Sequence, residues 1–139
     1  MSHGFFQITQ KIFLKKNDLL LVCRDKKSGH GDLPGGRMDQ EEFFMDWMRS
    51  LEREVREELG KDFKVSINPK PILIHKHRVN DGNHPCIIIG YEAEWISGEI
   101  QISDEHDFFE WVDPKNFKPE TLFSEYMLET VEEYLKNHA

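Results

Sequence analysis

Arg53-Glu54-Val55-Arg56-Glu57-Glu58-Leu59-Gly60 is the stretch from which the rest of the chain is best read. Glu54 precedes Glu57 by three residues and Glu58 by four, so on a helix the three carboxylates share one side. The last turn of a helix exposes carbonyl oxygens carrying about half a negative charge, and Lys, Arg or His is the residue expected there. Repulsion among the acids adds about 0.2–0.5 kcal/mol per close pair. A cation seated between them reverses both penalties. Hard oxygen ligands with no Cys or His beside them in sequence suit Mg²⁺ or Mn²⁺ rather than Zn²⁺.

Upstream of these acids, Phe43, Phe44, Trp47, Met48, Leu51, Val55 and Leu59 recur at three- and four-residue spacings. They predict one helix from Gln40 to Leu59 with a buried stripe, and Gly60 as its C-cap. Val55 and Leu59 then point inward and the acids are presented at the side rather than buried. Gln7 to Leu14 and Leu19 to Cys23, joined by Lys15-Lys16-Asn17-Asp18, read as a β-hairpin. A loop follows from Lys26 to Asp32, and Leu33-Pro34-Gly35-Gly36 ends it with two glycines that allow close approach of a ligand.

Downstream, strands are expected over Phe63–Ile67, Ile72–Val79, Cys86–Ile96 and Phe108–Val112, with a turn at Asn80–Pro85. The closing segment from Leu122 to Leu135 has helical period. Strands interrupted by one long early helix and finished by another give an α/β class with a mixed sheet between helices.

The 139 residues suit a single domain, residues 1–139. The two cysteines, Cys23 and Cys86, each sit in an apolar run and read as buried reduced thiols, as in a reducing cytosol. Met1-Ser2-His3-Gly4-Phe5-Phe6 has no basic segment leading into an apolar core, and no apolar run approaches the roughly 20 residues that span a bilayer. A cytoplasmic, soluble protein with no membrane partner is expected. With 26 acidic against 18 basic residues and a net charge of −8, a broad hold on a nucleic-acid backbone is disfavoured. Small phosphorylated ligands remain open through bridging divalent ions. No interface is marked, so monomer and homodimer are both open.

Leu33-Pro34-Gly35-Gly36, five residues, Glu42, and then Arg53-Glu54-Val55-x-Glu57-Glu58-x-Gly60 together resemble the signature of the Nudix hydrolases. Ten residues separate Glu42 from Arg53 where that family usually has seven. A three-residue insertion near Trp47-Met48-Arg49, close to one helical turn, accounts for this and keeps a helix nearly in phase. Glu41 is the alternative to Glu42, and Lys61 stands where the family prefers an apolar residue.

The resemblance implies an α/β/α sandwich around a mixed sheet. It also implies hydrolysis of a nucleoside diphosphate linked to another group, with water and Mg²⁺ or possibly Mn²⁺. By the same resemblance Glu57 and Glu58 are principal metal ligands and Glu54 binds metal and accepts the proton of the attacking water. The Gly36 carbonyl completes the shell, Arg53 holds Glu57, and Glu42 pairs with Arg53 or steadies the loop. Glu57→Gln is accordingly expected to cost several orders of magnitude in turnover.

By the same resemblance Glu105, in Ser103-Asp104-Glu105-His106-Asp107, is a further candidate for the metals or the base, in competition with Asp104, Asp107 and Glu110 and with the reading of the segment as an acidic solvent loop. His75 and His77 share one strand face and, along with Arg78, either line a substrate cleft or, as the commoner role of polar residues there, form an exposed strand face. Zinc lacks a third ligand there. Phe5, Phe6, Trp95, Phe108 and Phe109 either stack a nucleobase or, as the commoner role of aromatics, fill the core. The expected substrate is a small phosphorylated nucleotide, with a free nucleotide or modified dNTP leading. The rival reading is a Nudix-like module that binds a nucleotide or partner without turnover.

Overall fold

The computed structural model describes residues 2–79, 84–101 and 103–138. β1 (Gln7–Lys16) and β2 (Leu19–Asp25) form the expected hairpin, with Lys15 opposite Leu20. Asn17 at the turn adopts φ 57°, a left-handed conformation that Asn tolerates. Then come β3 (Gly31–Asp32), β4 (Gly35–Arg37), α1 (Trp47–Leu59), β5 (Lys64–Ile67) and β6 (Leu73–Val79). β7 (His84–Ser97), β8 (His106–Val112) and α2 (Glu125–Asn137) complete the order.

The strands make one mixed sheet. β1 runs parallel to β7, whereas β2, β4, β5, β6 and β8 pair antiparallel with their neighbours. Of the turn expected at Asn80–Pro85, residues 80–83 lie outside those described, and His84 and Pro85 already belong to β7.

Alternation along the central strands builds two cores. Ile12, Leu14, Leu21, Cys23, Ile89, Tyr91 and Ala93 meet Leu51, Val55 and Leu59 of α1. Their neighbours in sequence, Phe13, Leu20, Val22 and Ile88, meet Met127, Val131 and Tyr134 of α2. A helix therefore covers each face, giving an α/β/α sandwich. Cys23 and Cys86 are buried and unpaired with each other, as expected.

The long helix over Gln40–Leu59 does not form as one piece. Gln40–Phe44 is a short 3₁₀ helix, Met45 is extended, and Asp46 starts α1 by accepting a 2.9 Å hydrogen bond from the Met48 N–H. An aspartate at that point satisfies a donor that a new helix leaves open, so the chain stops and restarts there. Phe43, Phe44 and Met45 are consequently exposed rather than part of a buried stripe. No helical phase connects Glu42 to Arg53. Gly60 does cap α1, at φ 108° with its N–H on the Arg56 carbonyl.

Candidate active site

The C-terminal half of α1 lies against β4, and this contact builds the site. The Gly35 N–H donates to Glu58 Oε1 at 2.8 Å. Gly35 has φ 135°, and a Cβ there would stand 1.9 Å from the Gln10 carbonyl oxygen, so only glycine allows β4 to lie this close to β1. At Gly36 a Cβ would lie 2.6 Å from Glu54 Oε2. The strand thus presents bare backbone to two of the three acids, in a space that a side chain would fill.

Arg53 organises the adjoining carboxylates. Its Nη2 donates to Glu42 Oε2 at 2.8 Å and to Glu54 Oε1 at 3.3 Å, and its Nη1 to Glu57 Oε1 at 2.9 Å. Glu42 also accepts from the Asp39 N–H at 2.9 Å, and this bond, with Arg53, holds its carboxyl below the usual range. The expected Glu42–Arg53 pairing is therefore present, and it is Glu42 rather than Glu41 that reaches the arginine.

The acids do not all sit as the sequence suggests. Glu58 was expected at the side of the helix, but it is buried, 3% exposed, because the helix turns it under Gly35. Burial pushes its carboxyl up to about 7. Glu57 faces outward, its side chain 59% exposed and tied to Arg53, and it is not among the residues lining the cleft. Glu54 lines the cleft, and its carboxyl is raised, first by burial and then, against the pull of Arg53, by the charges of Glu57 and Glu105.

Behind Glu58 lies a buried polar chain that sequence reasoning missed. Lys11 Nζ meets Asp32 Oδ1 at 3.0 Å, His106 Nε2 stands 3.4 Å from Asp32 Oδ2, and His106 Nδ1 stands 3.4 Å from Glu58 Oε2. Burial disfavours charge on Asp32, but Lys11 and His106 overcome it and hold the carboxyl down to about 2. Burial also opposes charge on Lys11 and His106; Asp32 and Glu58 prevail, so both are raised. One signal was available. Lys11 stands within the fully buried run Thr9–Leu14 of a central strand, where a lysine demands a buried partner.

These residues border an open cleft of about 1660 Å³ whose walls include Gly35, Gly36, Glu54, Glu58, Asp104, Glu105, His77 and Arg78. Of the acids that competed around Glu105, Asp104 faces the cleft with it, whereas Asp107 pairs with Arg24 at 2.9 Å and Glu110 lies outside the cleft lining. His75, though on the same strand as His77, instead stands 3.6 Å from Glu129. Phe5 and Phe6 are exposed and line the cleft, against the core role favoured for aromatics. Trp95 and Phe109 do pack on the α1 side, and Phe108 lies under Arg24.

No three His, Cys, Asp or Glu side chains among the described residues converge closely enough to hold a metal ion by themselves. The donor set nonetheless fits a hard divalent cation. Glu54, Glu58 and Glu105 border one cleft, and the Gly36 backbone stands open to Glu54 where a side chain would intrude. Gly36→Ala should accordingly leave the fold intact while lowering kcat/KM about 10- to 100-fold, through displacement of the Glu54 carboxylate. Circular dichroism with steady-state kinetics checks this; undiminished activity would show that the gap at Gly36 is not used.

A family model described as the NUDIX domain matches residues 7–133. Among solved structures, the chain is similar to a MutT NUDIX hydrolase from Burkholderia pseudomallei, with 18% identity, 98% of this chain and 100% of that one covered, and a TM-score of 0.74. A MutT protein from Methanosarcina mazei Go1 shows 17% identity, 96% coverage of each chain and a TM-score of 0.74. A NUDIX-family hydrolase from Clostridium perfringens shows 23% identity over 93% of this chain and 95% of that one, with a TM-score of 0.72. The TM-scores establish a shared fold. No curated protein matches. No helix among the described residues is long and apolar enough to cross a membrane.

Proposed function

Because the chain belongs to the NUDIX domain family of pyrophosphate hydrolases, we propose that it is a Mg²⁺-dependent enzyme cleaving the pyrophosphate linkage of a nucleoside diphosphate derivative, with a nucleotide or modified dNTP as leading substrate. The observation that carries this reading is that Glu54, Glu58 and Glu105 border a single open cleft, with the Glu54 carboxylate beside the bare backbone of Gly36. Glu54, Glu58 and the Gly36 carbonyl are the residues that would hold the cation, with Glu57 and Glu105 at its margin. When bound, a divalent cation supplies charge neutralisation at the phosphoryl oxygens.

The protein's own groups do the rest. Water attacks phosphorus, the new P–O bond forms as the anhydride P–O bond breaks, and the leaving phosphate takes the electron pair. The proton released by the water goes to Glu54, whose raised basicity fits it for that task. Arg53 fixes the Glu54 carboxylate from one side, and Glu42 fixes Arg53. Glu105 reaches the cleft from the loop before β8, where its backbone carbonyl accepts from the Lys26 N–H at 2.9 Å. His77 and Arg78 at the edge of the sheet are assigned to the substrate.

A screen of nucleoside diphosphate and triphosphate derivatives with added Mg²⁺ or Mn²⁺ tests the proposal. Release of a nucleoside monophosphate or related phosphorylated product from at least one compound is the expected result. Mg²⁺ alone should also raise Tm in a concentration-dependent way, since a ligand selective for the folded state stabilises it. Tight nucleotide binding without turnover of any compound would instead identify a non-catalytic module.

A further inference from the structure

The sheet register brings one row of side chains to the far end of the cleft. Gln7 of β1 stands beside Cys86 of β7, which stands beside His77 of β6. Residues opposite one another in a sheet point to the same face, so Gln7 and His77 look over one surface, two strand spacings or about 10 Å apart. Phe5 and Phe6, which lead into Gln7, line the same cleft as His77.

Phosphate chemistry leaves two features of this end unexplained. His77 Nδ1 is buried and has no hydrogen-bond partner among the described residues, although buried polar atoms in folded proteins nearly always have one. Phe5 and Phe6 are 93% and 60% exposed, so two aromatic rings stand in water at the wall of a binding cleft. A ligand that answers both is flat, apolar on its faces, and polar at its edge. An acyl chain would leave His77 Nδ1 unpartnered, and a bare sugar phosphate would leave the rings uncovered.

The geometry points to a nucleobase subsite formed by Phe5, Phe6 and His77, in which the phenyl rings cover the base and His77 Nδ1 bonds to its edge. This rests on the reading that the cleft accepts a nucleotide derivative. Burial lowers the basicity of His77, with the charge of Lys11 acting in the same direction. A neutral imidazole offers one donor and one acceptor nitrogen, so Nδ1 matches either kind of edge atom according to its tautomer. The subsite therefore selects substrates by their base, in addition to recognition of the phosphates.

Calorimetric binding of the four nucleoside 5′-monophosphates and of ribose 5-phosphate to the full chain provides the test. At least one nucleotide should bind about tenfold or more tighter than ribose 5-phosphate, the scale of one base–aromatic stack. The double variant F5A/F6A should erase that margin. H77L should shrink it and change the ranking of the bases, and H77N, which restores a polar atom close to Nδ1, should recover part of it. F44A removes a ring that is 88% exposed but outside the cleft lining, and should leave the margin as it is.

In turnover, F5A/F6A should raise KM for base-bearing substrates while leaving their kcat, and the KM for 5-phosphoribosyl diphosphate, unchanged. Equal binding of ribose 5-phosphate and every nucleotide, or a full margin in F5A/F6A, would overturn the subsite. The two readings fail separately. A base-dependent margin without turnover of any compound removes the hydrolase and keeps the subsite; turnover with equal KM for base-bearing and base-free compounds does the reverse.

Discussion

Glu54→Gln is expected to lower kcat by about a thousandfold or more, while Tm and the circular dichroism spectrum stay close to those of the parent protein. The amide keeps the shape of the side chain beside Gly36 but cannot accept a proton, and loss of a general base alone typically costs about 10²–10⁴-fold. Weaker cation binding adds to that loss. The family resemblance instead makes Glu57 a principal metal ligand, with a loss of several orders of magnitude for Glu57→Gln. In the structure Glu57 faces solvent and holds Arg53, outside the cleft lining, so Glu57→Gln is expected to cost about tenfold, by releasing Arg53. Steady-state kinetics of the two variants side by side decide between them. A larger loss at Glu57 than at Glu54 would show that the site is organised around the outward carboxylate.

The second large effect concerns Glu58 and stability. Burial raises its folded-state carboxyl from the ordinary 4.5 to about 7, so the protonated form is the one that folding favours. The stability it contributes is complete below about pH 4.5 and is lost as pH rises through about 7. His106, also raised in the folded state, acts in the same direction over the upper part of that range. Asp32, held down to about 2, acts oppositely, but only in acid, where its contribution disappears as pH falls below about 4. Metal-free protein should therefore lose Tm between about pH 5 and pH 8. Glu58→Gln should flatten that decline and stabilise the metal-free protein at pH 8 by on the order of 2–3 kcal/mol, each tenfold change in proton affinity being worth about 1.4 kcal/mol.

Glutamine at position 58 can keep the bond from the Gly35 N–H, and its amide can donate to the neutral His106 ring, so the polar chain stays satisfied. The same variant should lose most of the Tm rise caused by Mg²⁺, because the carboxylate that rewards the cation is gone. Thermal melts across pH, with and without Mg²⁺, check both statements. A Glu58→Gln protein less stable than its parent at pH 8 would mean that Glu58 is held as a satisfied anion by Lys11 and His106.

The parts of the fold that depend on local chemistry were legible in the sequence. The β1–β2 hairpin, the Gly60 cap and the approximate extents of β5 to β8 follow from alternation and turn residues. The parallel pairing of β1 with β7 joins residues nearly eighty positions apart, Gln7 with Cys86 for example, and nothing local encodes it. The false continuity over Gln40–Leu59 arose because Phe43 and Phe44 stand in helical register with Trp47 and Leu51, and periodicity does not distinguish rings that face a core from rings that face water. Asp46 was the mark of the break.

At the site, the pairing of Glu42 with Arg53 and of Arg53 with Glu57 could be foreseen, since motif and helical spacing specify both. The depth of Glu58 could not, because it depends on how closely β4 approaches α1, a tertiary distance set by Gly35. Nor could the alliance of Lys11, Asp32 and His106, drawn from three separate strands. Cleft aromatics escaped for a related reason: Phe5 and Phe6 precede the first strand and have no periodic pattern to say which side they face.

One guanidinium divided among three carboxylates behaves as a shared tether. Were Glu54 drawn toward a bound cation, the arginine would not be stranded, because Glu42 and Glu57 hold it independently at 2.8 and 2.9 Å. The helix would thus give up one acid to a ligand with little rearrangement elsewhere. A lysine in that place, a compact point charge on a flexible stem, would lack the rigid planar fork that grips Glu42 and Glu57 through different nitrogens.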